Sequence, residues 1–123
     1  MTPASSGVPR TLMIVDDSQA FLLSAAAMLA EEGFDVVACI ADAAQVVPEV
    51  QRLGPDVVLL DIQMPLLDGF EVAQRLANLD PPPVVVLVSS RDARSYGADL
   101  RTAPVRGFIT KWELSGHALA SMV

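Results

Sequence analysis

The sequence predicts an α/β fold, (βα)5, in which five strands form one doubly wound parallel sheet in the order 2-1-3-4-5. Three observations support this prediction. The chain has 123 residues, enough for one domain but not for two. Hydrophobic residues make up 52% of it and charged residues 19%, so it can bury an apolar core. Five short apolar runs alternate with segments of helical length, which favours this order over the six-stranded dinucleotide-binding fold.

The five predicted strands are short apolar runs rich in β-branched side chains. They are apolar nearly throughout, and this is typical of parallel strands that helices cover on both faces. Cys39 lies in the second run, and we expect it in the core. The runs cover residues 11–15, 34–40, 56–60, 84–88 and 105–109.

Five predicted helices follow the strands. The first begins after Ser18, a good N-cap residue, and ends at Gly33. The second contains Pro48, and we expect a kink or a late start there because proline disrupts a helix interior. Asp68 precedes the third helix. The second to fifth helices are predicted at 43–53, 70–79, 91–102 and 113–122.

Composition limits the classes of function. Residues 1–10 are predicted to form a flexible tail and residues 11–123 the domain. The longest apolar stretch is well short of the roughly 18 to 20 residues that cross a bilayer, so we expect a cytoplasmic protein without a membrane span. The net charge of −7 argues against direct binding of nucleic acid or an anionic membrane. One cysteine and one histidine provide neither a disulfide nor a structural zinc site.

Polar side chains follow four of the predicted strands at the point where each strand ends. Asp16 and Asp17 follow the first strand and Asp61 the third, while Ser89 and Lys111 follow the fourth and the fifth. In an open parallel sheet these ends share one edge, which is where ligands bind. Neighbouring strands are about 4.8 Å apart, so Asp61 is predicted to lie close to the acidic pair.

Three crowded carboxylates indicate a cation. Two of them about 4 Å apart repel by about 4 kcal/mol at an effective dielectric constant of 20, and a divalent cation relieves this repulsion. Oxygen ligands suit Mg²⁺ or Mn²⁺, and Mg²⁺ commonly also takes a phosphate oxygen. Lys111 and Ser89 could bind the phosphate as ammonium and hydroxyl donors. Asp61 is the predicted nucleophile, because an aspartate carboxylate can carry a phosphoryl group as an acyl phosphate.

These residues and their order resemble the receiver domain of two-component response regulators, a family with a flavodoxin-like fold. The resemblance runs from about Thr11 to the C-terminus. It rests on the acidic pair, on Asp61 in LLDIQMPLLDG, on Ser89, and on Lys111 in GFITK. It implies that Asp61 accepts a phosphoryl group from a sensor histidine kinase or a phosphotransfer protein.

The resemblance also implies a set of metal ligands and a switch. Asp17, Asp61 and the backbone carbonyl of Gln63 would bind Mg²⁺ directly, and Asp16 mainly through water. Ser89 would turn toward the phosphoryl group, with Phe108 at the switch aromatic position. Helix 4, strand 5 and helix 5 would then control a protein partner or form a dimer. Four arginines give this last third of the chain a positive charge: Arg91, Arg94, Arg101 and Arg106.

The sequence departs from the family pattern at two positions. Trp112 follows Lys111 where many members have a proline joined by a cis peptide bond, so no cis bond is expected here. Phe108 stands where tyrosine is frequent, which removes a hydroxyl group. The segment Lys-Trp-Glu-Leu-Ser resembles receivers attached to LuxR-type helix-turn-helix domains.

Other classes of function compete with a receiver that acts as a signalling phosphoacceptor rather than as an enzyme. A flavin or nucleotide carrier lacks support because no glycine-rich loop follows the first strand. A serine hydrolase would need a G-x-S-x-G motif, and a dehalogenase-type phosphatase an Asp-x-Asp motif; the chain has neither. Two alternatives stay open, namely the receiver portion of a DNA-binding transcriptional regulator and a receiver-like scaffold that is not phosphorylated.

Overall fold

The structure is a computed structural model that describes residues 10–65 and 68–123. Five parallel strands form one sheet in the order β2-β1-β3-β4-β5, which confirms the predicted topology. All but one residue of the predicted tail lie outside the described residues, so its boundary stays a prediction. The strands are β1 (Thr11–Val15), β2 (Asp35–Ile40), β3 (Val57–Asp61), β4 (Val84–Ser89) and β5 (Gly107–Thr110).

Helices cover both faces of this sheet. Side chains alternate along β1, so Leu12 and Ile14 pack into one core cluster while Met13 and Val15 pack into the other. Both clusters are apolar, as the uniformly apolar strands predict. Across the described part of the chain, no helix is long and apolar enough to span a membrane. The helices are α1 (Gln19–Glu31), α2 (Val46–Leu53), α3 (Gly69–Ala77), α4 (Ala98–Thr102) and α5 (Gly116–Ala120).

The helix starts follow from local side-chain chemistry. Ser18 caps α1 by accepting a hydrogen bond from the Phe21 N–H at 3.2 Å, as predicted. Asp68 caps α3 in the same way, and its Oδ1 lies 2.8 Å from the Glu71 nitrogen. The second helix has the predicted late start, with a 3-10 turn at Ala43–Gln45 before α2. Pro48 therefore lies in the first turn of α2, where its missing N–H costs no helical hydrogen bond.

Three expectations about the rest of the fold were wrong. The fourth and fifth helices are much shorter than predicted. Gly97 adopts a φ of +54° and separates α4 from a 3-10 turn at Ala93–Ser95. Ser115 caps α5 by accepting from the Ala118 N–H at 2.9 Å, which delays the start of that helix. Cys39 is exposed rather than in the core, because β2 is an edge strand of the sheet.

Candidate functional site

The acidic residues meet at the carboxyl edge of the sheet. Asp16 and Asp17 follow β1, and Asp61 is the last residue of β3, which pairs with β1. Ligand atoms of the three carboxylates all lie within 4.8 Å of one another. Asp16 and Asp61 are buried, whereas Asp17 is exposed. The site therefore has two inner carboxylates and one that faces solvent.

Backbone N–H groups orient the two inner carboxylates. The Ser18 N–H donates to Asp16 Oδ1 at 2.8 Å, and the Gln63 N–H donates to Asp61 Oδ1 at 3.2 Å. Each carboxylate thus has one oxygen held by its own loop and a second oxygen, Oδ2, turned toward the site. Gln63 itself is exposed, and the predicted role of its carbonyl oxygen as a metal ligand stays a prediction.

Lys111 also reaches this group. It directly follows β5, an edge strand of the sheet. Its Nζ lies 2.7 Å from Asp16 Oδ2 and 3.9 Å from Asp61 Oδ2. Asp16 Oδ2 is buried and accepts no well-directed hydrogen bond, so the short contact with Lys111 is an ion pair. The Lys111 ammonium also lies 4.5 Å from the centre of the Phe21 ring, a cation–π arrangement that the sequence did not predict.

Electrostatics make Asp61 the unusual carboxyl group of the site. Burial raises the pKa of Asp61 from 3.8 to about 6, and the negative charge of Asp16 adds to this increase. The Gln63 N–H and Lys111 lower the same pKa, but by less. An additional cation would favour the charged form of Asp61. A cluster of oxygen ligands with one buried, poorly satisfied carboxylate oxygen fits a hard divalent cation.

Gly69 allows the start of α3 to pack closely against the end of β3. Its N–H donates to the Ile62 carbonyl at 2.8 Å. A Cβ atom at this position would lie 2.6 Å from both the Asp61 carbonyl oxygen and the Ile62 Cα, both of them backbone atoms. Only glycine permits this approach, so the Asp-Gly pair that opens α3 also determines the shape of the backbone around Asp61.

Ser89 ends β4 and is buried, with its hydroxyl in a local hydrogen-bond network. Its Oγ accepts from the Arg91 N–H at 3.0 Å and shares a hydrogen bond with the Tyr96 hydroxyl. The Tyr96 ring packs edge-on against Phe70 at 5.7 Å and tilted against Phe108 at 6.1 Å. The sequence singled out Ser89 and Phe108 but missed Tyr96, because no spacing rule indicates a contact between a strand end and a later turn.

Trp112 agrees with the expectation drawn from its position after Lys111. The Lys111–Trp112 peptide bond is trans, as the absence of proline predicts. The Trp112 side chain is 68% exposed, which makes it one of the most exposed large apolar side chains in the described part of the chain. Trp112 therefore contributes little to the core.

Comparison with known proteins gives the family. The family model described as the response regulator receiver domain matches residues 12–122. This chain belongs to that family. Receiver domains act in two-component signalling, bind Mg²⁺ at an acidic pocket, and interact with histidine kinases and downstream effectors. This receiver domain has an acidic cluster at the corresponding edge of its sheet, formed by Asp16, Asp17 and Asp61.

Individual relatives agree with this assignment. The receiver is 36% identical over 103 residues to the transcriptional regulatory protein PdtaR of Mycobacterium tuberculosis, covering 79% of this chain and 50% of the relative. It is 24% identical over 110 residues to the DNA-binding transcriptional activator EvgA of Escherichia coli, covering 89% of this chain and 54% of EvgA. The chain thus spans about half the length of these curated relatives.

Solved structures give the same fold. The signal receiver domain of the response regulator NarL from Mycobacterium tuberculosis superposes with a TM-score of 0.81 at 25% identity, and covers 93% of this chain and 96% of that one. The chemotaxis response regulator CheY4 of Vibrio cholerae superposes with a TM-score of 0.79 at 18% identity, and covers 93% of this chain and 95% of that one. The flavodoxin-like fold is therefore confirmed.

Proposed function

We propose that this receiver accepts a phosphoryl group on Asp61 and signals its presence to a protein partner. The observation that carries the proposal is the grouping of three carboxylates and one ammonium at a single sheet edge. Ligand atoms of Asp16, Asp17 and Asp61 lie within 4.8 Å of one another, and Lys111 Nζ lies 2.7 Å from Asp16 Oδ2. Packing alone gives no reason to bury such repulsion, whereas a divalent cation and a phosphoryl group would relieve it.

Asp61 supplies the nucleophile. One of its carboxylate oxygens forms a bond to phosphorus while the bond from phosphorus to the donor breaks, and the donor leaves with that electron pair. The leaving group is the imidazole of a phosphohistidine, or acetate when acetyl phosphate is the donor. The Gln63 N–H holds Asp61 Oδ1 at 3.2 Å, which leaves Oδ2 for the attack. Lys111 and Ser89 then donate to the phosphoryl oxygens.

The metal in this proposal is Mg²⁺, and Mn²⁺ would suit the same oxygen ligands. Asp17, Asp61 and the Gln63 carbonyl would hold the ion directly, and Asp16 mainly through water. When bound, the ion neutralises negative charge on the phosphoryl oxygens. Support comes from the buried Asp16 Oδ2, which accepts no well-directed hydrogen bond. The raised pKa of Asp61 agrees with a site that needs additional positive charge.

The proposed donor is a sensor histidine kinase or a phosphotransfer protein in the cytoplasm, and the receiver promotes its own phosphotransfer and dephosphorylation. The proposed output surface comprises α4, β5 and α5. It would bind a downstream protein or a second copy of the chain, with Phe108 and Ser89 as the switch pair. Four exposed arginines lie within or just before its elements, which suits an acidic partner surface: Arg91, Arg94, Arg101 and Arg106.

A second candidate is the receiver portion of a DNA-binding regulator. EvgA is a DNA-binding transcriptional activator, and this chain matches 54% of its length. In that case a separate domain would contact DNA, and this net-acidic receiver would not. A scaffold that is never phosphorylated is the third candidate, and the presence of every residue that phosphorylation requires argues against it.

Intact mass spectrometry after incubation with acetyl phosphate tests the proposal. We expect the wild type to gain one phosphoryl group only when Mg²⁺ is present, and Asp61→Asn to gain none. Asp68→Asn is the matched control, since Asn can still cap α3 and the acidic cluster stays intact. Phosphorylation of Asp61→Asn, or gain without Mg²⁺, would contradict the assigned acceptor or the assigned metal requirement.

Fluorescence of Trp112, the single tryptophan of the chain, separates the remaining outcomes. If Mg²⁺ changes this fluorescence but neither acetyl phosphate nor any phosphohistidine donor adds mass, the scaffold candidate replaces the proposal. If Mg²⁺ changes nothing, measured by fluorescence and by thermal stability, the metal site is wrong as well.

A further inference from the structure

The Ser89 hydroxyl has a limited number of hydrogen-bond positions, and two of them are already used. A serine hydroxyl has one proton to donate and two lone pairs to accept with. The Arg91 N–H occupies one lone pair at 3.0 Å, and the Tyr96 hydroxyl takes a second position. Ser89 is fully buried, so water cannot easily replace either partner. Either atom of the Ser89–Tyr96 bond can be its donor, and when Ser89 donates, a new acceptor near Ser89 competes with the Tyr96 oxygen for the single Ser89 proton.

Tyr96 connects this hydroxyl to the proposed output surface. Its ring packs against Phe70 of α3 and Phe108 of β5. Its carbonyl oxygen accepts from the N–H of Asp99, within α4, at 3.2 Å. Gly97, the next residue, has a φ of +54°, a conformation that glycine adopts without strain. A shift of the Tyr96 side chain would thus move the start of α4, and the backbone at Gly97 would act as the hinge.

We propose that Tyr96 is a positioning residue whose phenol oxygen accepts a hydrogen bond from the Ser89 hydroxyl in the unphosphorylated protein and loses that bond when Asp61 is phosphorylated. The inference rests on the proposed function, since the competing acceptor is a phosphoryl oxygen on Asp61. Ser89 has a single proton, so donation to Tyr96 and donation to the phosphoryl group exclude each other. Once the bond to Ser89 is lost, the Tyr96 ring can shift against Phe70 and Phe108, and the start of α4 can shift with it. Nothing in the sequence indicates this link.

The first test needs no phosphorylation. Tyr96 is the only tyrosine of the chain, so the tyrosine Fermi doublet in the ultraviolet resonance Raman spectrum reports it alone. The intensity ratio of this doublet is high when the phenol oxygen accepts a hydrogen bond and low when the hydroxyl is a strong donor. We expect the wild type to have the ratio of a phenol oxygen that accepts a hydrogen bond, and we expect Ser89→Ala to change this ratio because the donor is removed. Ser90→Ala, at the exposed neighbouring position, is the control and should change nothing.

The second test measures phosphorylation of Asp61 by acetyl phosphate with Mg²⁺. Tyr96→Phe keeps the ring and removes the hydroxyl, so we expect it to phosphorylate faster by about two- to tenfold, the effect of removing one competing neutral hydrogen bond. In a Ser89→Ala background the same change should have no effect. A structural role for Tyr96 would instead alter both backgrounds equally.

The outcomes are distinct. The inference is overturned if the doublet ratio of the wild type is that of a donating Tyr96 hydroxyl, or if this ratio is the same in Ser89→Ala. Equal effects of Tyr96→Phe in both backgrounds, or slower phosphorylation, also overturn it. A wild type that gains no phosphoryl group counts against the proposed function, and the Raman ratio still decides whether Tyr96 accepts a hydrogen bond from Ser89.

Discussion

Two regions of this receiver are built differently. The site-bearing region, residues 11–89, contains α1 with 13 residues and a β3 that is buried along its whole length. The C-terminal region, residues 91–123, contains α4 and α5 with five residues each, both preceded by 3-10 turns. Asp16, Asp17 and Asp61 belong to the first region. The proposed output surface belongs to the second.

The difference separates the region of the proposed chemistry from the region of the proposed switch. Metal binding and phosphoryl transfer need side chains held within a fraction of an ångström, and buried central strands provide this. A switch needs elements with two arrangements of similar free energy, and short helices are only marginally stable without tertiary packing. Lys111 and Ser89 lie where the two regions meet. We therefore expect substitutions in the site-bearing region to have the larger effects on stability.

The largest effect is expected for Gly69→Ala. The added Cβ would meet backbone atoms of Asp61 and Ile62 at 2.6 Å, and neither strand nor helix can move away without disturbing the site. We expect the free energy of unfolding to fall by about 3 kcal/mol, measured by urea denaturation, and Mg²⁺-dependent phosphorylation to fall with it. Gly97→Ala is the control, where nothing crowds the added Cβ and the backbone conformation alone, φ +54° and ψ −125°, predicts a loss of about 1 to 2 kcal/mol. Equal losses would contradict the distinction between the regions.

Asp61→Asn is expected to stabilise the metal-free protein. Burial and Asp16 raise the pKa of Asp61 from 3.8 to about 6. Below pH 3.8 the carboxyl is protonated in both folded and unfolded chains, so the substitution changes little. Between pH 3.8 and about 6 the unfolded chain loses this proton while the folded protein keeps it, so the folded state loses stability across this range, by about 3 kcal/mol at most.

Denaturation in EDTA checks this prediction at two pH values. We expect Asp61→Asn to raise the free energy of unfolding by about 2 to 3 kcal/mol at pH 7.5 and by much less at pH 4. Asp68→Asn, at an exposed helix cap, serves as the control and should show no such pH dependence. A pH-independent gain would show that packing, not charge, explains the stabilisation.

Lys111→Met tests the contact that links the two regions. It removes the ammonium 2.7 Å from Asp16 and leaves a fully buried carboxylate without its ion pair. Lys111 is partly exposed, so we expect the free energy of unfolding to fall by about 2 kcal/mol, less than for a fully buried pair. Added Mg²⁺ should restore much of it, because the ion replaces the lost charge.

Arg52→Met is the matched control for this lysine. Arg52 also forms a 2.7 Å ion pair, with Glu49, but its side chain is 65% exposed. We expect Arg52→Met to lower the stability much less, and we expect Mg²⁺ not to restore what is lost. Thermal denaturation with and without Mg²⁺ compares the two variants. A Lys111→Met variant as stable as the wild type, with no response to Mg²⁺, would show that Lys111 does not neutralise the cluster.

The sequence predicted the site-bearing region well because its signals are local. Ser18 and Asp68 cap helices as expected, and the apolar runs of β1 and β3 position Asp16 and Asp61 side by side. Strand order followed from chain length and alternation. Each of these predictions needed only neighbouring residues and the geometry of parallel strands.

The C-terminal region was harder to predict because tertiary contacts decide its structure. Helical composition predicted two long helices there, whereas the cap at Ser115 and the turn at Gly97 allow only short ones. Tyr96 meets Ser89 through a turn whose path depends on packing against Phe70 and Phe108. Periodicity carries no information about such contacts.

Trp112→Ala is expected to have the smallest effect. The side chain is 68% exposed, so its removal should change the free energy of unfolding by no more than about 0.5 kcal/mol in urea denaturation. Tyr96 fluorescence or circular dichroism must follow the transition, because the variant has lost the only tryptophan. Leu23→Ala, 72% exposed on α1, is the control from the site-bearing region. A loss above about 1.5 kcal/mol for Trp112→Ala alone would mean that this side chain holds the C-terminal region together, and the two regions would then differ less in packing than their helix lengths indicate.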